Sequence, residues 1–326
     1  MRLLINAPAV ARSSRGVRRY AERVLAELRW PSGIDTLEPL GTAALERAGE
    51  LIRRGRAGSI LWTPCQRGPL FARNHVVTVH DCISIEYVYR DDWRLPAYLR
   101  MMSVLLQRAE IVAISRATRD AILRNFRVNP DRIVVIPSGL DSIPRSAVSL
   151  GAPDRPYALL VTNALPHKNT LATCQGFALS RAPREGIALR VIGTLPPSAR
   201  ALCESAGIRL QLDHSIDDDA LASAYAGCAF LLAPSLSEGH DLPVAEALSQ
   251  GAEVLCSDIP VHHEFYEGRV RFFDPTRVEA IAAAIDDAMT VPRPWFSARG
   301  VTPDRGFADV ARDYEALFRS IEARGA

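Results

Sequence analysis

Lysine is almost absent from this chain of 326 residues, although basic residues are plentiful. Of its 39 basic residues only one, Lys168, is a lysine, and all the others are arginines. Arginine replaces lysine well on an exposed surface, but poorly where a compact ammonium group must meet a phosphate. Lys168 is therefore a candidate for contact with a phosphate group.

Cysteine motifs and long apolar runs are also missing. The six cysteines are scattered without a Cys-x-x-Cys pair. This argues against a disulfide framework or a zinc site and favours a reducing cytoplasm. No run of 18 apolar residues occurs, so no transmembrane helix is predicted. The apolar stretch that follows Met1 is too short for a signal peptide, and we interpret it as a first buried strand.

Sequence patterns that bind metal ions are missing too. His-x-x-x-His does not occur, and the only Asp-x-Asp lies in 217–219, where acidic residues suit the start of a helix. His262 and His263 follow Pro260, and we expect them in a turn, either solvated or capping. The sequence thus predicts no metal site.

The formal net charge is only +2, but it is unevenly distributed. Residues 1–150 carry 23 Arg and 14 acidic residues, a net +9, whereas the remainder carries 16 basic and 23 acidic residues, a net −7. A basic half suits anionic lipid headgroups or a phosphorylated acceptor. An ordinary solvated surface explains the arginines equally well. Nucleic acid is not expected as a partner, because no nucleic-acid-binding module is recognisable.

Strand-like apolar runs alternate with helical patterns, which is typical of parallel α/β sheets. The predicted strands are 3–6, 60–62, 76–79, 111–114 and 133–136, then 157–162, 188–192, 210–212, 230–233 and 253–256. The predicted helices are 17–28, 98–109, 115–126, 170–179, 198–206, 218–226, 243–250, 279–289 and 309–323. Residues 141–156 are rich in proline and serine and predict a linker between two domains.

The most informative segment is the stretch from Ala233 to Gly251, which follows a buried strand. Its pattern predicts a polar loop and then a helix that begins near Asp241, which can cap it, with Pro243 in the first turn. Free N–H groups at such a helix start attract phosphate. The carboxylates of Glu238 and Glu246 suit hydroxyl groups instead. A ligand with phosphate in its middle and hydroxyls at both ends, such as a nucleotide-sugar, matches both.

This segment resembles the Glu-x7-Glu region of retaining glycosyltransferases of family 4, which have the GT-B fold. The resemblance implies two Rossmann-like α/β domains facing across a cleft, with the C-terminal helix crossing back to the N-terminal domain. We expect an acceptor-binding domain at 1–148, together with a terminal helix at about 300–326, and a nucleotide-sugar-binding domain at 154–299. His240 and Asp241 stand where the family commonly has phenylalanine and glycine.

The resemblance assigns donor-binding roles to residues of the second half. Glu238 holds donor-sugar hydroxyls, Glu246 accepts from the ribose hydroxyls, and the amides around Asp241 and Leu242 face the phosphates. His240 takes the variable position beside the sugar. The string Pro-His-Lys-Asn also matches the family, and there Lys168 neutralises the diphosphate as it leaves. The residues that complete this expected donor site are Asn163 and His167.

In the first half the resemblance singles out two places. Val-His-Asp ends a core strand, so the resemblance places His80 in the active site, near the donor sugar and the acceptor. Asp81 is expected to help to hold the acceptor in position. The loop before the first long helix keeps one glycine of the family's pair, Gly16, which allows a close approach to donor phosphates. Arg15 occupies the other glycine position and is expected to meet phosphate or acceptor.

The expected activity is that of a metal-independent, retaining hexosyltransferase of class EC 2.4. The likeness favours mannosyl transfer from a GDP- or UDP-linked sugar to a glycan or polyprenyl-linked acceptor in bacterial surface polysaccharide synthesis. No cofactor beyond this substrate is expected. The catalytic candidates are Glu238, His80 and Lys168, and the expected location is the cytoplasm, with peripheral contact at the inner membrane face.

Three alternatives stay open at this point. A nicotinamide-dependent oxidoreductase needs a Gly-x-Gly-x-x-Gly loop after the first strand, and the chain has Ala-Pro-Ala-Val-Ala-Arg there instead. A catalytically silent nucleotide-sugar-binding module would bind donor without turnover. A sugar-nucleotide epimerase would convert the donor without any acceptor.

Overall fold

The computed structural model describes residues 1–36, 58–140, 156–290 and 305–324. These residues form two compact units. Unit 1 contains the described residues up to 139 and those from 305 onward, and unit 2 contains those from 140 to 290. Most of the predicted linker, 141–155, lies outside the described residues.

Each unit is built on one six-stranded sheet flanked by helices. The strands are β1 Arg2–Ile5, β2 Ile34–Thr36, β3 Ser59–Thr63, β4 His75–Val79, β5 Glu110–Ala113, β6 Ile133–Val135, β7 Tyr157–Thr162, β8 Ala188–Gly193, β9 Leu210–Asp213, β10 Phe230–Ala233, β11 Val254–Ser257 and β12 Arg271–Phe273. The helices are α1 Ala7–Ala11, α2 Arg15–Glu27, α3 Leu95–Leu106, α4 Arg116–Asn125, α5 Thr170–Leu179, α6 Pro197–Ser205, α7 Asp218–Gly227, α8 Leu242–Ser249, α9 Pro260–Tyr266, α10 Val278–Thr290 and α11 Phe307–Arg324. None of the described helices is both long and apolar enough to cross a membrane.

Sheet 1, in unit 1, has the strand order β2-β1-β3-β4-β5-β6, and every described pairing in it is parallel. Its strands are short, continuously apolar runs, as expected for a parallel sheet covered by helices on both faces. Neighbouring residues of β4 show this, because Val76 packs on one face with α2 and α11, and Val77 on the other with α3 and α4. The last helix of the chain therefore belongs to the core of the first unit.

Sheet 2, in unit 2, has the order β12-β11-β10-β7-β8-β9, again with parallel pairings among the described strands. This is the order of doubly wound nucleotide-binding sheets. One face packs against α7, α8 and α9, and the other against α5, α6 and α10. Gly193 ends β8 at φ +115°, and a Cβ there would lie 1.9 Å from the Thr162 carbonyl oxygen, so only glycine fits.

Local sequence signals predicted most of these elements well. The helix Thr170–Leu179 has the predicted bounds, and Ser115 and Asp217 cap their helices by accepting from Thr118 N–H and Ala220 N–H. The strands Ile34–Thr36 and Arg271–Phe273 were not predicted. The segment that contains His262 is a helix and not a turn.

Candidate active site

The candidate site of unit 2 lies where the winding of sheet 2 reverses. Strands β7 and β10 are neighbours, but the helix after β7 packs on one face of the sheet and the helix after β10 on the other. The two connections therefore diverge at the carboxyl ends of these strands and leave a crevice, which is where open α/β sheets bind ligands. A small recess at this point is lined by residues of both connections, Thr162, Lys168, Pro234, Ser235, Asp241 and Pro243 among them.

The two connections are tied together by their backbones. After β7 the chain makes a short 3-10 turn, Pro166–Lys168, and Asn169 takes the left-handed conformation at φ 52° before α5 begins. From the other connection, Leu236 N–H donates to the His167 carbonyl at 2.7 Å. This bond holds the Pro-His-Lys-Asn turn against the loop that carries Glu238.

Lys168 and Glu238, 70 positions apart in sequence, form a largely buried ion pair. The Lys168 Nζ donates to Glu238 Oε1 at 2.6 Å, and the side chains are only 15% and 12% exposed. Burial raises the pKa of Glu238, and the neighbouring ammonium opposes that rise. A buried charge without its partner is costly, so each of these side chains stabilises the other in this position. The lone lysine thus meets the predicted sugar-binding carboxylate directly.

Asp241 stands at the N-cap position of α8, but its side chain does not cap the helix, contrary to the prediction. Its backbone is left-handed (φ 65°, ψ 68°), and its Oδ2 lies 3.0 Å from His262 Nε2. The second nitrogen of that ring, Nδ1, lies 2.9 Å from the Ser257 carbonyl oxygen. Asparagine and aspartate tolerate this backbone region better than other residues with a side chain, which explains why aspartate can replace glycine here.

Both ring nitrogens of His262 lie against oxygen atoms. A carbonyl oxygen accepts only, so Nδ1 must donate to Ser257. The Nε2 of the same ring faces the Asp241 carboxylate, with which it forms the second hydrogen bond. Burial alone would raise the pKa of Asp241, but Lys168 and His262 together lower it. His262 is fully buried, so the prediction of a solvated or capping histidine is wrong.

The contact between Asp241 and His262 matters for the electrostatics of the helix start. Pro243 has no N–H, and Val244 N–H donates to the Asp241 carbonyl at 3.1 Å. The amides of Asp241 and Leu242 are then the groups through which this helix end can bind an anion. A bare carboxylate at Asp241 would repel that anion, and His262 compensates its charge.

Glu246 lies four residues into α8 and is buried, with 6% exposure. Its Oε2 accepts from the Tyr225 hydroxyl of α7 at 3.0 Å. Tyr266 supports the same region, because its hydroxyl contacts the carbonyl oxygens of His240 and Asp241 at 2.9 and 3.0 Å. Tyrosines from α7 and α9 therefore brace the loop and the helix that carry the predicted donor-binding residues.

His167 and His240 are both buried and uncharged. Burial and the Lys168 charge lower the pKa of His167 to about 4, and burial lowers that of His240 to about 4. The His240 ring packs on Phe265 with centroids 4.2 Å apart. His240 thus occupies the predicted aromatic position as a neutral ring.

The remaining donor-site candidate of unit 2, Asn163, forms a hydrogen bond within its own loop. Asn163 is exposed directly after β7, and its Oδ1 accepts from Leu165 N–H at 2.9 Å. This is a turn-forming bond, and contact of Asn163 with a donor stays a prediction.

In unit 1, His80 lies at the carboxyl end of β4, as the sequence predicted. It is 7% exposed, its Nε2 donates to the Pro64 carbonyl at 2.9 Å, and the Tyr20 ring contacts it edge-on at 4.9 Å. Burial lowers its pKa to about 4. The ring is therefore neutral, with Nε2 protonated and Nδ1 as an acceptor. A catalytic role for His80 stays a prediction.

The other candidates of unit 1 lie near the starts of helices and turns. Asp81 is partly exposed, and its Oδ1 accepts from Ile83 N–H at 3.0 Å. Arg15 and Gly16 are the first two residues of α2. Gly16 has ordinary backbone angles, and a Cβ there would meet no atom within 4 Å. Neither the backbone nor the packing at this position requires glycine, and the absence of a side chain leaves open space at the helix start.

Sequence reasoning missed three side chains that hold the site of unit 2 together, namely His262, Tyr225 and Tyr266. The tyrosines carried no signal that distinguishes them from ordinary core aromatics. His262 lies in a helix of seven residues, which is too short for a helical period to show its buried face. Only the packing of α9 against α8 reveals its contact with Asp241.

Comparison with known proteins supports the expected fold and the expected family. The chain is 24% identical to the O-antigen chain mannosyltransferase RfbU of Salmonella typhimurium over 228 residues, which cover 68% of this chain and 62% of that protein. It is 29% identical to the O-antigen chain mannosyltransferase B of Escherichia coli over 271 residues, 74% of this chain and 70% of that protein. The chain thus spans somewhat less than two thirds of the length of RfbU.

A solved structure, a glycosyltransferase from Rickettsia africae, matches with a TM-score of 0.71 at 15% identity, over 98% of both chains. The expected GT-B class with two parallel α/β sheets is thereby confirmed. Residues 8–142 match the family model described as Glycosyltransferase Family 4, and residues 143–294 match Glycosyl transferases group 1. From the first helix to the end of the second unit the chain belongs to the group 1 glycosyltransferases of family 4.

Proposed function

We propose that this protein transfers a hexosyl group, with mannosyl as the first choice, from a nucleoside-diphosphate sugar to a hydroxyl of a glycan or polyprenyl-linked acceptor. The observation that carries this proposal is the Lys168–Glu238 ion pair beside the start of α8, at the switch point of sheet 2. The relatives named as O-antigen mannosyltransferases support the choice of sugar and a role in surface polysaccharide synthesis.

The donor would be held by groups of three kinds. The Lys168 ammonium and the first amides of α8 supply positive charge to the diphosphate. Glu238 offers a carboxylate to sugar hydroxyls, and Glu246 offers one to the ribose. The charge for the leaving diphosphate thus comes from the protein's own groups, which supports transfer without a divalent ion.

The chemical step would proceed with retention of anomeric configuration. The bond from the anomeric carbon to the diphosphate oxygen breaks as the acceptor oxygen bonds to that carbon on the same face. The acceptor proton moves to the departing phosphate oxygen, so atoms and charge balance without a protein base. Glu238 then acts by positioning the sugar, and Lys168 by stabilising charge that grows on the diphosphate.

The acceptor would be bound with the help of unit 1, where His80 and Asp81 end β4 and Arg15 and Gly16 begin α2. We place the reaction in the cytoplasm, at the inner membrane face, because a polyprenyl-linked acceptor is anchored there.

The direct test is binding followed by turnover. A thermal-shift series with GDP, GDP-mannose, UDP and UDP-glucose should raise the melting temperature for at least one nucleotide, by the amount that its concentration and dissociation constant dictate. Incubation with that nucleotide-sugar and a polyprenyl-diphosphate-linked saccharide should then yield a product whose new linkage keeps the donor's anomeric configuration, read by NMR coupling constants.

Lys168→Met should abolish the thermal response. The matched control is Arg271→Met, because Arg271 pairs with Glu253 at similar burial but where β11 and β12 begin, at the opposite edge of sheet 2. The control should keep the nucleotide response even if it lowers stability. Equal losses in both variants, or no response of the wild type to any nucleotide, would refute the proposed site. Donor conversion without an acceptor would indicate an epimerase, and binding without turnover a silent module.

A further inference from the structure

Helix α3 of unit 1 exposes an unusual surface for a helix of a globular protein. Its inner face is buried through Met102, Leu105 and Leu106. Its outer face begins at Trp93, just before the helix, which is 87% exposed. The same face continues at intervals of three and four residues, typical of one side of a helix, through Ala97, Arg100, Met101, Val104 and Arg108. We call this set the α3 face.

The α3 face combines apolar side chains with positive charge alone. Met101 is 39% exposed, and Arg100 and Arg108 are exposed as well. From position 93 to position 109 the chain has three arginines and no acidic residue. Carboxylates flank the helix on both sides, Asp91 and Asp92 before it and Glu110 after it. The Arg94 guanidinium binds Asp92 at 2.5 to 3.0 Å, and Glu110 pairs with Arg324 at 3.3 Å.

A second exposed aromatic extends the surface at the other end of the helix. Phe71 is 57% exposed, and the Arg108 guanidinium lies 5.1 Å above its ring centroid. The twelve residues of α3 extend roughly 18 Å at 1.5 Å per residue. Exposed aromatic groups therefore lie at both ends of a strip of this length, with arginines along it.

The combination identifies one occupant better than any other. A helix face with arginines and exposed tryptophan suits the interface of an anionic bilayer, where tryptophan lies at headgroup level and arginine meets lipid phosphate. A second copy of the chain is disfavoured, because a symmetric contact would bring the arginines of both copies together, and the α3 face itself holds no carboxylate to compensate them.

We propose that the α3 face is the surface through which this protein lies on an anionic membrane. The proposal extends the proposed function, since it gives the polyprenyl-linked acceptor a defined approach. The α3 face follows β4 in the chain, so it is only twelve positions beyond Asp81, where acceptor binding is expected. A membrane held at α3 would bring a lipid-linked hydroxyl to the unit that is expected to bind it.

The test is sedimentation of the full chain with vesicles of phosphatidylcholine alone and of phosphatidylcholine and phosphatidylglycerol in equal parts. The wild type should sediment with the mixed vesicles only. An arginine at an anionic surface increases partitioning by roughly fivefold, so Arg100→Gln/Arg108→Gln should weaken binding by roughly 25-fold. Mixed vesicles should also shift the tryptophan emission to shorter wavelength, and Trp93→Phe should remove that shift.

Matched controls separate a defined surface from general charge. Arg312→Gln/Arg319→Gln makes the same change in net charge on α11, which packs on the opposite face of sheet 1. It should leave vesicle binding within about twofold of the wild type if binding is local to α3. Leu179→Ser removes an apolar side chain that is 55% exposed in unit 2 and should have no effect, whereas Trp93→Ser/Met101→Ser should weaken binding.

Several outcomes would overturn the proposal. Absence of binding to mixed vesicles would do so, as would equal losses in the α3 and α11 variants. Self-association of the wild type that the α3 variants abolish would assign the face to a second copy. The nucleotide thermal response, measured on the same samples, keeps this proposal distinct from the previous one. Its loss would count against the transferase site, and vesicle binding would still stand or fall by itself.

Discussion

The carboxyl edges of the two sheets have the same architecture but bury different kinds of side chain, ionisable in sheet 2 and uncharged in sheet 1. The edge of sheet 2 carries buried ionisable side chains in pairs, Lys168 with Glu238 and Asp241 with His262. The edge of sheet 1 buries neutral groups that bond to one another, and Asp81, the carboxylate that follows β4, is partly exposed. Asn6 donates to the Thr63 hydroxyl at 3.2 Å, and the Thr118 hydroxyl donates to the His80 carbonyl at 3.0 Å.

The difference teaches what each edge can bind. Charges are costly to bury, and the pairs of sheet 2 persist because each charge offsets the desolvation of its partner. Such an edge can exchange an internal partner for a charged ligand with hydroxyls. The buried groups at the edge of sheet 1 offer hydrogen bonds without charge, which suits hydroxyl groups. Under the proposed function this corresponds to a charged donor at unit 2 and an uncharged acceptor hydroxyl at unit 1.

The largest expected effect comes from removing one carboxylate at each edge. Glu238→Gln should lower the turnover number for transfer by roughly 100-fold or more, because the sugar loses its positioning group. Asp81→Asn, at the edge of sheet 1, should act mainly on the KM for the acceptor. Steady-state kinetics with both substrates varied measures this, after thermal melting has shown that both variants fold. Equal losses of turnover number would remove the contrast between the edges.

The next effect concerns stability and tests whether the charges of sheet 2 depend on each other. His262→Leu should lower the free energy of unfolding by about 3–5 kcal/mol, because it leaves a buried carboxylate at Asp241 without its partner. Asp241→Gly in the same chain should restore most of the loss, since it removes that carboxylate and relieves a positive φ.

Urea unfolding at neutral pH measures these values, and His263→Leu is the matched control. His263 is the next residue on α9, and its ring, 42% exposed, pairs with Asp258 and Glu267. Pairs this exposed contribute roughly 1 kcal/mol at most. Should the double variant be no more stable than His262→Leu alone, the interaction between His262 and Asp241 is not what holds this region.

A third effect concerns the buried histidine at the edge of sheet 1 and its response to pH. The folded protein binds a proton at His80 with a pKa of about 4, whereas an unfolded chain binds it near 6.5. The unfolded state therefore holds more protons between these values, so the free energy of unfolding falls as pH decreases from about 6.5 to about 4.

His80→Gln should remove part of that slope, up to roughly 2–3 kcal/mol over the interval, because glutamine can donate to Pro64 but does not titrate. Denaturation curves at several pH values measure it. His263→Gln is the control of opposite sign, since the carboxylates beside the exposed His263 raise its pKa and favour the folded state at low pH. An unchanged slope in His80→Gln would contradict the buried neutral ring.

The smallest effect is expected at the start of α2. Gly16→Ala should raise the free energy of unfolding slightly, by about 1 kcal/mol at most, because alanine favours a helix and its Cβ meets no atom within 4 Å. If donor phosphate approaches this backbone closely, the same variant should weaken the nucleotide thermal response. A variant that is more stable and binds nucleotide as well as the wild type would exclude Gly16 from the donor site.

Local signals were sufficient for the elements and for the place of the site. Apolar runs marked ten of the twelve described strands closely enough to indicate two α/β units, and the carboxyl ends of β4, β7 and β10 were identified as the chemical edge. The strand Ile34–Thr36 was missed because three residues with one aspartate carry no clear period. The bounds of Thr170–Leu179 were predicted correctly because Asn169 and Ser180 interrupt the helical pattern on both sides.

Local sequence signals could not predict which side chains pair with each other. Asp241 was expected to cap α8, since aspartate before Leu-Pro is a good capping residue. Its left-handed backbone turns the carboxylate toward α9 instead, where His262 receives it. Nothing in the sequence around either residue indicates the other, because α8 and α9 are joined through β11 and meet only when both pack on the same face of sheet 2.

The sequence by itself determined that this is a two-unit α/β protein with one lysine and two glutamates in a nucleotide-sugar-binding pattern, because apolar periodicity and helix-start chemistry act over a few residues. Tertiary structure alone decided that Lys168 meets Glu238 across 70 positions, that the buried His262 bonds to Asp241, and that the α3 face is exposed. These contacts and exposures depend on which helix faces are packed against the sheets, because the packing of segments that are distant in sequence sets the burial of each side chain.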